Sequence, residues 1–321
     1  MGEATAVQQP PLGVRLLHAL RKEPDFSAMS DEALVAFRDA QHRKLASGLA
    51  RVITGFPDRA ATIGWQQVEL PDRVVPVRVC RPSVSGPLPL VLHVHGGGFM
   101  GTAVQCDWVN SHLAAQLQVV VVSVEHRLVD ARTPMSAAVD DGWDVLRHVV
   151  QNFSDWGVDP ARVALVGESA GGLIAALAAI RARESGRLLR AQVLVNPCID
   201  LTSTALNYDS MTEHATSPTL TVTRMELFRR LAVPDGTDAR AVSPLYADDL
   251  SGLPPALVVV PELDPVADHG RAYAARLREA GTPVQLREHP GAGHAFLSMP
   301  GLVPQAKAAR AQITDFLRGR L

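Results

Sequence analysis

From Trp65 onward the chain alternates short apolar runs with longer segments of helical spacing. Val68 and Leu70, then Val75, Val77 and Val79, take every second position, and Pro71-Asp72 lies between the two sets. Period-2 apolar runs joined by a turn dipeptide predict two antiparallel strands in a hairpin. Six further strand-like runs follow: Leu90 to His95, Val119 to Val124, Arg162 to Val166, Gln192 to Val195, Ala256 to Val260 and Val284 to Glu288. Helical segments lie between them near 105–117, 136–151, 171–184 and 266–280, and another near 304–318 ends the chain. Short apolar strands separated by helices mean a mostly parallel sheet covered on both faces. The expectation is an α/β fold with eight strands flanked by helices.

Two stretches depart from this rhythm. In residues 1–60, Leu16, Leu17 and Leu20, then Leu34, Val35 and Phe37, suggest short amphipathic helices, with Ser30-Asp31-Glu32 as the N-cap signal of the second. Residues 201–250 are polar, rich in Thr, Ser, Asp and Pro, and carry one modest helical pattern near Arg224 to Leu231. An insertion of that length in a compact fold is more often a lid than a plain loop. The expected organisation is a core of 61–200 and 251–321, with 1–60 and the 201–250 insertion together forming a helical cap.

Charge and cysteine usage narrow the function class. The 31 basic and 33 acidic residues are interleaved, for a net charge of −2. No basic stripe marks a nucleic-acid or anionic-membrane partner. Cys80, Cys106 and Cys198 are odd in number and far apart, so they read as free thiols rather than a disulfide framework or metal set. Met1 to Ala6 shows neither a secretory leader nor a myristoylation pattern, and the apolar runs around Val119 to Val124 and Leu173 to Ile180 are too short to span a bilayer. The expectation is a cytoplasmic protein with no metal and no cofactor.

Candidate chemistry sits at the ends of predicted strands. Gly167-Glu168-Ser169-Ala170-Gly171 fits G-x-S-x-G, with a strand before it and an Ala-rich helix after it. A strand turning directly into a helix crowds the Cβ atoms on either side, so glycine is needed at both flanks. Ser169 would then project at a helix N-terminus, where the dipole favours developing negative charge. His95-Gly96-Gly97-Gly98-Phe99 ends another strand, and three consecutive glycines exceed what a turn requires. They suit a backbone that offers N–H groups to a ligand, so Gly97, Gly98 and Ala170 are expected as oxyanion donors. The alternative, a phosphate loop, lacks the Lys-Ser/Thr and the G-x-G-x-x-G spacing. His95 is expected to anchor this loop rather than act as a base.

A serine nucleophile needs a base, and the base needs an orienting acid. His294, in Pro290-Gly291-Ala292-Gly293-His294-Ala295-Phe296, is the best placed of the eleven histidines. His93 is expected in the core, with His18, His42 and His148 on helix surfaces. Asp264 follows the strand ending at Val260, with Glu262 and Asp268 as rival acids. The chain order Ser169, Asp264, His294 is that of α/β-hydrolases.

On these motifs the chain resembles the hormone-sensitive-lipase-like family of carboxylesterases, from about Leu90 to Phe296. His95-Gly96-Gly97-Gly98 resembles the family's HGGG, and Gly167 to Gly172 its G-D/E-S-A-G-G. Ser243-Pro244-Leu245, Leu253-Pro254-Pro255-Ala256 and Asp264-Pro265-Val266-Ala267-Asp268 are similar to the segment around its acid, and His294-Ala295-Phe296 stands where His-Gly-Phe is usual. The resemblance implies an α/β-hydrolase fold with a helical cap. It implies Ser169 as nucleophile, His294 as base, Asp264 as its partner, and Gly97, Gly98 and Ala170 as oxyanion donors, acting on small to medium esters of short acyl chain. Two departures stand beside the site: Tyr-Arg-Leu-Ala-Pro-Glu is replaced by His126-Arg127-Leu128-Val129-Asp130-Ala131, and Ala295 replaces glycine. An amidase, an acyltransferase or cyclase using the same triad, a non-catalytic ligand-binding homologue, and a homodimer all stay open.

Overall fold

The computed structural model describes residues 9–20 and 24–321, so the leader and lipidation readings over Met1 to Ala6 lie outside the described residues. The expected hairpin is formed by β1 (Ala61–Glu69) and β2 (Val74–Pro82), which pair antiparallel from Ala61↔Pro82 to Glu69↔Val74. Its turn closes through the Leu70 N–H donating to the Arg73 carbonyl at 2.8 Å. The other six strands are β3 (Leu88–Val94), β4 (Val120–Val124), β5 (Val158–Glu168), β6 (Ala191–Val195), β7 (Ala256–Leu263) and β8 (Val284–Gly293). They complete one eight-stranded sheet in the order β1-β2-β4-β3-β5-β6-β7-β8. The β2–β4 pair is antiparallel, and every pair from β4 to β8 is parallel.

Among the described residues, eight helices of nine or more residues surround the sheet: α1 (Leu12–Leu20), α2 (Asp31–Ala46), α3 (Asp107–Leu117), α4 (Met135–Gln151), α5 (Ala170–Glu184), α6 (Val222–Ala232), α7 (Ala267–Glu279) and α8 (Gln305–Arg318). Alternate strand positions feed opposite faces, as the pleat requires. Leu90, Leu92, Val94, Val120, Val122 and Val124 pack against α4 and α5. Val91, Val121, Val193 and Val259 pack against α3 and α8. The three cysteines are free and buried. Among the described residues no helix is long and apolar enough to cross a membrane.

The strand expected over Val284 to Glu288 is longer in the structure: β8 runs on through Pro290 to Gly293 and re-pairs with β7 at Leu263↔Gly293 beyond a register shift. The strand lies at the sheet edge, where a proline without an N–H breaks no ladder bond. Of the apolar positions in α1, Leu16 and Leu20 are 54% and 85% exposed. The helix instead buries Val14, with Gly13 set closely against Leu302.

The 201–250 segment contains α6, a short helix at Asp209–Glu213 and two 3-10 turns. Its Met211, Met225, Phe228, Val242 and Leu245 join the hydrophobic cluster on the α4–α5 face, as does Leu34 of α2. Ser30 caps α2, accepting from the Ala33 N–H at 3.2 Å.

Candidate active site

A parallel sheet delivers the C-terminal ends of its strands to one edge, so residues following β3, β5, β7 and β8 meet there. Glu168 ends β5, and Ser169 turns the chain into α5 with φ 55° and ψ −118°. Left-handed backbone at a non-glycine residue costs about 1–3 kcal/mol and persists only where the surroundings impose it. The Ser169 N–H donates to the Val195 carbonyl at 2.9 Å, and the Ser169 carbonyl accepts from the Cys198 N–H at 3.2 Å. A Cβ on Gly167 would lie 2.2 Å from the Gly171 carbonyl oxygen, and one on Gly171 would lie 2.2 Å from that of Val94. The elbow therefore closes only with glycine on both flanks.

Leu263 and Gly293 are paired neighbours, so the residues that follow them emerge side by side. These are Asp264 and His294. His294 Nδ1 lies 2.8 Å from Asp264 Oδ2, and His294 Nε2 lies 2.8 Å from Ser169 Oγ. Asp264 is wholly buried, and its Oδ1 accepts from the Val266 N–H at 3.0 Å. A carboxylate in that place fixes the imidazole with Nδ1 as donor and leaves Nε2 to accept from the serine. The rival acids point elsewhere. Asp268 accepts from the Ser210 N–H at 2.9 Å and pairs with Arg271 at 2.8 Å, while Glu262 is only half-buried and is not bonded to His294.

The glycine turn lies against the elbow, since a Cβ on Gly96 would come within 3.3 Å of Ser169 Cβ. The Gly96 carbonyl faces His95 Nδ1 at 2.9 Å, and the Gly97 carbonyl accepts from the Met100 N–H at 2.7 Å. In a trans peptide the N–H opposes the carbonyl, so anchoring these two oxygens aims the Gly97 and Gly98 amides the other way. The left-handed φ of 80° at Gly97 is what bends the chain to do this. Ala170 opens α5, and its N–H is one that the helix cannot pair internally.

His95 stacks on His126 with ring centroids 4.3 Å apart. Burial drives both imidazoles down to about 4, so both are neutral. His93 is buried beside Ser123 at 2.8 Å. His18 is exposed on α1, whereas His42 and His148 are only half-buried on their helices. Among the described residues no group of three or more His, Cys, Asp or Glu side chains is placed to hold a metal ion.

A family model described as the alpha/beta hydrolase fold matches residues 91–298. Carboxylesterase NlhH of Mycobacterium tuberculosis is 38% identical over 243 residues, 73% of this chain and 75% of that protein. The chain belongs to the hormone-sensitive-lipase-like family of α/β-hydrolases. The ethyl acetate hydrolase of Pseudomonas putida is 32% identical over 257 residues, 77% of this chain and 79% of its own. A solved esterase structure from Pyrobaculum calidifontis superposes with a TM-score of 0.85 at 30% identity, covering 97% of this chain and 98% of that one.

Two further residues beside the site, Ser298 and Phe228, carried no signal in the sequence. Ser298 donates to Glu168 Oε2 at 2.8 Å, joining the His294 loop to the nucleophile strand, and burial pushes the Glu168 carboxyl above its ordinary value. The Phe228 ring of α6 lies against Gly98, where a Cβ would fall 2.4 Å from it. A phenylalanine in a helical pattern reads simply as core, so it carried no signal.

Proposed function

We propose that the chain hydrolyses carboxylic esters through an acyl-enzyme on Ser169, with His294 as general base and then acid. Asp264 orients His294 and stabilises its imidazolium, and the Gly97, Gly98 and Ala170 amides hold the oxyanion. The observation that carries this reading is the unbroken run from Asp264 through His294 to Ser169, with 2.8 Å at each step. As Ser169 Oγ bonds to the ester carbon, its proton passes to His294 Nε2 and the carbonyl electrons move onto the oxygen facing the glycine turn. Collapse of that intermediate breaks the ester C–O bond, and the imidazolium gives its proton to the departing alkoxide. Water then repeats the sequence on the acyl-enzyme.

Short acyl groups fit best. The Phe228 ring stands against Gly98, beside the Ala170 methyl group, and leaves little room on that side of the oxyanion donors. The Pseudomonas putida relative, named for ethyl acetate, supports the same class. Residues 1–60 and 201–250 act as the cap over the 61–200 and 251–321 core.

Replacing Ser169 or His294 with Ala is expected to lower kcat on p-nitrophenyl acetate by about 10⁶-fold, and Asp264→Asn by about 10⁴-fold. A serine-reactive phosphonate should label Ser169 alone. Near-full turnover in Ser169→Ala would reject the assignment. Release of acid from esters, with no transfer to added alcohols or amines, separates hydrolysis from acyl transfer.

A further inference from the structure

Arg38 is the buried guanidinium of α2, 7% exposed and one turn beyond Leu34 on its inward face. Three of its nitrogens are used. Nε donates to the Phe99 carbonyl, Nη2 to the Val129 carbonyl, and Nη1 to Asp130 Oδ2 at 3.2 Å. Between those anchor points the Val129 N–H donates to the Gly98 carbonyl at 2.9 Å. One turn further along α2, His42 Nε2 lies 3.3 Å from the Met100 carbonyl. The carbonyls of Gly98, Phe99 and Met100 are thus each held, two of them by side chains of one N-terminal helix.

We propose that Arg38 is a positioning residue for the oxyanion turn, clamping residues 96–101 to the 126–131 segment so that the Gly97 and Gly98 amides stay aimed at the reacting carbonyl. The proposal rests on the reading of those amides as oxyanion donors. A flexible glycine turn cannot hold two N–H groups in a fixed direction by itself, because glycine has the widest choice of backbone conformations. Preorganised donors stabilise a transition state only while they need no reorganisation as charge develops. The planar fork of a guanidinium spans two carbonyls and a carboxylate from three separate nitrogens, whereas a lysine offers its three N–H groups from a single nitrogen.

The carboxylate arm belongs to this chain in particular. The family pattern Tyr-Arg-Leu-Ala-Pro-Glu puts proline where Asp130 stands. Burial works to raise the Asp130 carboxyl, but the Arg132 amide and the Arg38 guanidinium outweigh it and hold the group below its ordinary value.

Arg38→Met and Arg38→Lys in the full chain test the clamp. Active sites are counted by phosphonate titration. Then kcat per titrated site and KM for p-nitrophenyl acetate are measured, with the inhibition constant of an aryl trifluoromethyl ketone, which forms an oxyanion on the serine. For Arg38→Met, kcat per site should fall about 10- to 100-fold, short of the roughly 10²–10³ of outright donor loss. KM should stay within about threefold, because ground-state binding does not use the oxyanion. Ketone affinity should weaken by the same factor as kcat/KM, and Arg38→Lys should fall in between. The proposal is overturned if Arg38→Met loses activity only in proportion to its titrated sites, or if KM rises with kcat unchanged. Should Arg38→Met give no titratable sites, Arg38→Lys decides: full kcat per site overturns the clamp, and a matched loss of kcat and ketone affinity supports it. Ser169→Ala is run alongside. Persisting turnover there sinks the acyl-enzyme reading and the clamp with it, whereas a dead Ser169→Ala with a normal Arg38→Met sinks the clamp alone.

Discussion

Ala295 follows the candidate base directly and adopts φ 56° and ψ 22°, a left-handed conformation. Its Cβ crowds the backbone there at a cost of roughly 1–2 kcal/mol, which glycine would not bear. Glycine in turn gives the unfolded chain more freedom, returning about 0.4–1 kcal/mol of that gain. Ala295→Gly is therefore expected to raise the melting temperature by about 1–3 °C, with kcat on a short ester within about twofold; a lower melting temperature would contradict the strain argument. The residues most legible in the sequence were those whose chemistry forces a local pattern. Ser169 needs glycines around its elbow, a turn proposed to offer amide donors must be free of side chains, and Asp264 and His294 sit at strand ends in a recognisable order. Arg38 had no such mark. Its partners lie 61, 91 and 92 positions away, and a single arginine on a helix reads as solvated unless the fold is known.

The strands were readable because both faces of a parallel sheet are apolar, leaving nearly continuous Val and Leu runs. Their far ends were not. The extension of β8 through Pro290 has the composition of a loop and is a strand only because β7 lies beside it. That extension sets His294 next to Asp264, so the sequence marked both candidate residues without the reason for their proximity. The 201–250 segment was the least legible, since its packing depends on helices distant in the chain. Its main element, α6, takes Thr221 as N-cap and lays Phe228 against the glycine turn. Phe228→Ala should raise the kcat/KM ratio of hexanoyl to acetyl p-nitrophenyl esters by about 10-fold or more, a step typical of freeing apolar pocket volume. It should also cost about 3 kcal/mol of stability through the cavity left behind. A chain-length series beside urea unfolding tests both parts, and an unchanged preference would place the acyl group away from α6.

At the scale of the whole molecule, three neutral histidines buried near the glycine turn shape the response to acid. His93, His95 and His126 are buried together, with burial lowering them to about 3, 4 and 4. A histidine depressed on folding binds fewer protons in the native state than in the unfolded one between its folded value and 6.5. The unfolded state then gains protons on acidification, and stability falls by up to about 1.4 kcal/mol per pH unit for each such group. Glu125 and Glu168 act in the opposite sense. Burial raises both, so the native state keeps their protons above the unfolded value of 4.5, and acidification through that window favours folding. Over the stretch just above pH 4.5 the two sets oppose each other, which makes the loss there more gradual. Below about 4.5 the glutamates are protonated in both states, the histidines act unopposed, and the loss steepens. Asp130 and Asp268, held below their ordinary 3.8, add to it only at still lower pH. Urea midpoints at pH 7, 5.5 and 4.2 should therefore drop more per unit over the second interval than over the first. His126→Phe removes one titrating ring from the stacked pair and keeps an aromatic face toward His95. Its loss of unfolding free energy between pH 7 and 4.2 should be smaller than that of the wild type by about 1–3 kcal/mol. An identical loss in the variant would mean that acid sensitivity arises elsewhere than in this buried pair.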